Sequence, residues 1–150
     1  MPLDQSFVGR GWPPTEPYLV GREKIREFAR AIGATDAAYH DPEAARAIGY
    51  ADVVAPPTFP TVLTNISSRQ IITDPGLGLD YSRVVHGDQR FKYVRPVIAG
   101  DALVCVNTIE EITQRSGHDF LTTRTDITSV DGEAVVTAWS KLVQRGMEQS

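Results

Sequence analysis

Residues 119–130 and 133–144 both alternate apolar with polar side chains, are rich in Thr and Val, and flank an Asp131-Gly132 pair. Period-two alternation marks a strand with one face buried, and Asp-Gly between two such runs is a strong hairpin signal. Residues 84–94 and 102–113 are β-rich as well, joined by Arg95-Pro-Val-Ile-Ala-Gly-Asp101. Four antiparallel strands in succession leave a sheet face that some other element must cover.

The covering material precedes the strands. Residues 22–32 place Ile25, Phe28, Ala29 and Ile32 at i, i+3, i+4 and i+7, the stripe of an amphipathic helix, and Gly33 stops it. Residues 42–48 read as a short helix with Asp41 at the N-cap, Pro42 in the first position and Gly49 past the end. A longer helix is expected over 57–72, announced by Pro-Pro and carrying Val62, Leu63, Ile66, Ile71 and Ile72. Its remaining positions are mostly Thr, Ser and Asn with Arg69 the one charge, which suits a largely buried helix. Residues 18–20 read as a short strand, 1–17 as an extended lead-in and 73–81 as a loop. Helices followed by strands predict one α+β domain, an antiparallel sheet with a helix packed on one face.

At 150 residues the chain is long enough to bury about two thirds of its unfolded surface. A net charge of −4 without a Lys/Arg run argues against nucleic acid or an anionic membrane as the main partner. No apolar stretch reaches the roughly 18 residues that span a bilayer, and Met1-Pro-Leu-Asp-Gln-Ser-Phe7 lacks the basic flank and apolar core of a signal peptide, so a cytoplasmic protein is expected. Cys105, alone in Leu103-Val-Cys-Val106, has no internal disulfide partner and reads as a buried small hydrophobe. His40, His86 and His118 are scattered, so no metal site is expected. No Gly-x-Ser-x-Gly, P-loop or dinucleotide fingerprint occurs.

The run Gly33-Ala-Thr-Asp-Ala-Ala-Tyr-His-Asp-Pro-Glu43, the turn Ala55-Pro-Pro-Thr-Phe59 and the segment Phe91-Lys-Tyr-Val-Arg-Pro-Val-Ile-Ala-Gly-Asp101 together resemble MaoC-like hydratases and dehydratases of the hotdog fold. Arg22-Glu-Lys-Ile-Arg-Glu-Phe28 and Val84-Val-His-Gly-Asp-Gln-Arg-Phe91 extend the likeness to the fatty-acid-synthase-type dehydratase domain and to subunits of actinobacterial (3R)-hydroxyacyl-ACP dehydratases. The resemblance implies an antiparallel sheet wrapped around a central helix and dimerising through the sheet edge. It implies reversible loss of water from an acyl-ACP or acyl-CoA thioester without metal or cofactor. Its partners would be a second copy of the chain or a catalytic MaoC-like subunit.

The family motif, roughly Gly-Asp-x-Asn-Pro-x-His-x-Asp-Pro, carries a catalytic Asp and His. Registered on Asp41-Pro42, it places Ala34 at the Asp and Tyr39 at the His, and Pro57, with no N–H, where many active members have an oxyanion-hole Gly. A displaced register makes Asp36 and His40 the pair, with His40 as general base. Asp36 reads equally as a loop cap, His40 as a hydrogen-bonded or surface residue and Tyr39 as a packing residue. Tyr39, Pro57, Thr58 and Phe59 are the candidate substrate contacts. His86 reads as a structural or dimer-interface residue and His118 as a surface one. Arg83, Arg90, Lys92 and Arg95 are candidates for a basic patch facing an acidic carrier protein, or simply solvated strand positions. Three readings stay open: a channel-forming subunit with a separate catalytic partner, a self-sufficient dehydratase, and a non-catalytic acyl-thioester binding protein.

Overall fold

The computed structural model describes residues 2–147, so Met1 of the lead-in lies outside the described residues. One antiparallel sheet holds β1 (Tyr18–Leu19), β2 (Val84–Tyr93), β3 (Ala102–Arg115), β4 (His118–Ser129) and β5 (Ala134–Gln144), in the order β1-β3-β4-β5-β2. The four long strands fall within about two residues of their expected positions. The last hairpin turn is four residues long (130–133) rather than two. Gly132 adopts φ +88°, and the Ser129 N–H bonds to Glu133 O at 2.8 Å. Register shifts between His86 and Asp88, between Ile109 and Glu111, and between Ile127 and Thr128 are bulges that strengthen the twist and help curl the sheet. Gly87 sits in the first bulge, where a Cβ would lie only 3.0 Å from Val143 Cγ2.

Four helices accompany the sheet, α1 (Arg22–Ala31), α2 (Pro42–Ala47), α3 (Pro60–Ser67) and α4 (Arg69–Ile72), and α3 is the one packed against β3 and β5. On α1 the stripe buries Ile25 and Ala29 completely, while Ile32 at its C-cap is half exposed. The single helix expected over 57–72 ends at Ile72 as expected but is corrected at its start and in its middle. Pro57 and Pro60 have no N–H to bond back, and the regular helix starts only at Pro60. In the middle the Ser67 and Ser68 hydroxyls bond back to Thr64 O and Asn65 O, competing with the backbone ladder. Asn107 Nδ2 donates to the freed Ser67 carbonyl at 2.9 Å, and the chain breaks at Ser68 before α4 begins.

Cross-strand pairs share a face, so the register lays out the concave surface in rows. Cys105, Ile127, Val136 and Tyr93 form one row, followed by Asn107, Thr125, Ala138 and Phe91. Ile109, Thr123, Ser140 and Gln89 come next, and Ile112, Leu121, Leu142 and His86 last. The first row belongs to an apolar cluster with Phe59, Leu63 and Ile25; Ile109 and the apolar members of the last row join a second with Phe7, Ile71 and Leu77. Between the two clusters runs a belt of hydroxyl and amide side chains.

The two sheet margins differ. The segment before β1 lies against β3, with the N–H groups of Gly9, Trp12 and Thr15 bonded to the carbonyls of Ile109, Asn107 and Cys105. The outer margin of β2 has no strand beside it among the described residues. No helix there is long and apolar enough to cross a membrane.

Candidate functional site

The segment between α1 and the turn at Pro57 is fastened to α1 from outside. Arg22 grips Asp52 through two 2.8 Å bonds, and Arg26 Nε donates to the His40 carbonyl at 2.8 Å. The Arg22 guanidinium holds the Asp52 carboxyl down from the usual 3.8 to about 2, helped by the Val53 N–H. Inside this frame the candidate acid–base groups are turned on their own backbone. Asp36 caps the short 3-10 helix Ala37–Tyr39 by accepting from the Ala38 N–H at 3.0 Å. The His40 ring shares a 2.9 Å hydrogen bond with the Ala34 carbonyl. Tyr39 packs with Ala38, Ala45 and Val54 in a small apolar cluster of its own. Ala34, at the motif's Asp position, has no group for acid–base work.

The turn before α3 is short of donors. Pro56, Pro57 and Pro60 have no N–H, and the Phe59 N–H is bonded to Pro56 O. The Thr58 N–H makes no backbone bond, and Thr58 and Pro57 are exposed. Tyr93 reaches over from β2 and donates its hydroxyl to the Pro57 carbonyl, with burial pushing its pKa up. Phe59, a candidate substrate contact, is fully buried and packs edge-to-face with Phe28 at 5.5 Å.

Open space lies at the other end of the helix. A cavity of about 540 Å³ opens between α3, α4 and the concave sheet. Its floor is the belt: Thr64, Asn107, Thr123, Thr125 and Ser140, walled by Ile71 and Leu142. Asn65, Arg69, Thr73, Tyr81 and His86 stand exposed around it, and no carboxylate lines it. Asn107 organises the floor: its Oδ1 accepts from Thr125 at 2.7 Å, and its Nδ2 donates to Gln70 Oε1 at 3.0 Å as well as to Ser67 O. Sequence reasoning missed these residues as a site, reading His86 only as structural or at a dimer interface, although a signal existed: Asn107, Thr123 and Thr125 are polar residues in the inward phase of β3 and β4. A second cavity of about 410 Å³ lies on the other side of α3, where Leu63, Ile66 and Cys105 meet residues 15–18. Cys105 is buried as expected, and burial raises its thiol pKa to about 11.

Three of the four candidate cations are engaged with other side chains. Arg83 pairs with Asp80, and Arg95 is held by Asp101 and Glu133 in the Pro-Val-x-x-Gly-Asp turn. Arg90 lies over the Trp139 ring at 4.4 Å, which leaves Lys92 as the member with no such contact.

The family model for the FAS1-like dehydratase domain region matches residues 6–138. A UPF0336 protein of Streptomyces avermitilis is 58% identical over 149 residues, covering 99% of each chain, and one from Leifsonia xyli is 51% identical over 148 residues and 99% of each. Among solved structures, a chain of the C-terminally truncated HadBC (3R-hydroxyacyl-ACP dehydratase) complex of Mycobacterium tuberculosis superposes with a TM-score of 0.83 at 36% identity, covering 91% of this chain and 96% of that one. A MaoC-like dehydratase superposes at 0.87 and 32% identity, with 95% of this chain matching 43% of that one. The curled sheet around α3 is therefore the hotdog fold that the sequence resemblance implied.

Proposed function

The chain belongs to the family of the FAS1-like dehydratase domain region, and from that membership we propose that it is the channel-forming subunit of a (3R)-3-hydroxyacyl-thioester dehydratase in cytoplasmic acyl metabolism. The observation that carries this reading is the separation of room from chemistry. The large cavity contains no acid–base pair, while the acid–base candidates sit elsewhere and are engaged with backbone. Dehydration needs a base to take the α-proton and a donor to release the β-hydroxyl as water. A partner of MaoC-like type supplies that pair, and this chain holds the acyl portion of an acyl-ACP or acyl-CoA. Tyr39, Pro57 and Thr58 face the partner's site from the rim, and Thr58 offers the free N–H there. The open margin of β2 is the natural surface for pairing, since an uncovered strand edge invites another strand. His86 stands on the same strand at the cavity.

The assay is hydration of a short enoyl thioester, followed by loss of ultraviolet absorbance, with the chain alone, with a MaoC-like partner bearing an intact Asp/His pair, and with His40→Ala. Turnover only in the mixture, with His40→Ala within about twofold of wild type, is the expected result. Turnover by the chain alone that disappears in His40→Ala would transfer catalysis to Asp36 and His40. Thioester binding with no turnover in either condition would make the chain a binding module.

A further inference from the structure

The cavity floor has a hydrogen-bonding sense. Thr125 donates to Asn107 Oδ1 at 2.7 Å, Ser140 to Gln89 Oε1 at 2.9 Å and Thr64 to Thr61 O at 3.3 Å, with Thr123 more weakly to Ser140 O at 3.5 Å. A hydroxyl has one hydrogen and two lone pairs, so these residues have only acceptor capacity left for an occupant.

An acyl chain meets those lone pairs by carrying a hydroxyl that donates to them. A plain methylene chain cannot, and would strip water from polar atoms without replacing it. With Arg69 and His86 at the margin and no carboxylate in the lining, nothing in the site calls for a cationic occupant. We propose that this cavity takes an acyl chain bearing a hydroxyl group along its length, remote from the thioester, in preference to an unsubstituted alkyl chain. The proposal rests on the cavity being the acyl channel.

Calorimetric titration of the purified protein with dodecanoate and with omega-hydroxydodecanoate tests this without a partner or turnover. The hydroxylated probe is expected to bind roughly fivefold more tightly or better, the scale of one added neutral hydrogen bond. Combining Thr123→Val with Ser140→Ala should erase that preference while plain dodecanoate still binds, and the retained binding itself certifies the fold. Equal binding of the two probes, binding of neither, or a preference that survives in the double variant overturns the proposal. Turnover by the mixed subunits without any hydroxyl preference sinks this inference alone. A hydroxyl preference without turnover sinks only the dehydratase reading.

Discussion

The two ends of the central helix are built on opposite terms. At its start, Phe59 fills its site completely, three prolines withhold their N–H groups, and Tyr93 pins the Pro57 carbonyl. At its end the helix breaks at Ser68, the core gives way to a polar belt, and about 540 Å³ stands open. The first region looks like an active site in sequence yet is tightly packed, with the Thr58 N–H as its spare donor; the second has the space and no proton-transfer pair. Recognition of an acyl chain and chemistry upon it are thus separable properties, resident in different residues.

The largest test of that contrast is packing. Phe59→Ala should cost about 3–5 kcal/mol in urea unfolding, whereas Leu142→Ala on the wall of an existing cavity should cost nearer about 2. Equal losses would mean the two ends are not packed differently. Asn107→Ala should cost about 2–3 kcal/mol, because it leaves the buried Ser67 carbonyl and the Thr125 hydroxyl without their partner. Amide exchange should quicken at Ile71 as α4 loosens. Tyr93→Phe should cost only about 1 kcal/mol, since one hydrogen bond to a turn is lost; no change at all would remove the clamp from the account of the closed end. The smallest effect is electrostatic. The Asp52 carboxyl is depressed from 3.8 to about 2, so its contribution is complete above 3.8 and disappears as pH falls toward 2. Arg22→Gln should flatten that acid limb by lowering stability slightly at neutral pH, the size being small for a solvent-facing pair, while stability near pH 2 stays the same.

Much of this was legible in the sequence. The strands announce themselves because alternation is local, and α1 does so because its stripe is complete. Asp41, Pro42 and Gly49 bracket α2 for the same reason. The bend between α3 and α4 was not legible. It arises where hydroxyls bond back one turn and where Asn107, forty residues away, captures the Ser67 carbonyl. Only the fold brings those groups together. The cavity was half legible: polar residues in the buried phase of β3 and β4 mark a belt, but its depth follows from the helix break. Asp36 and His40 illustrate the converse limit, since residue type and spacing cannot say whether a side chain faces a substrate or its own backbone.

The strap of residues 9–19 has a consequence for how far these chains can associate. It seals β3 over residues 102–109 and turns Pro13, Pro14 and Pro17 outward along a margin unable to continue a ladder. With most of that margin covered, β2 presents the longest open edge among the described residues, so a strand added there would end the ladder on its own side and could not be repeated over residues 102–109 of β3.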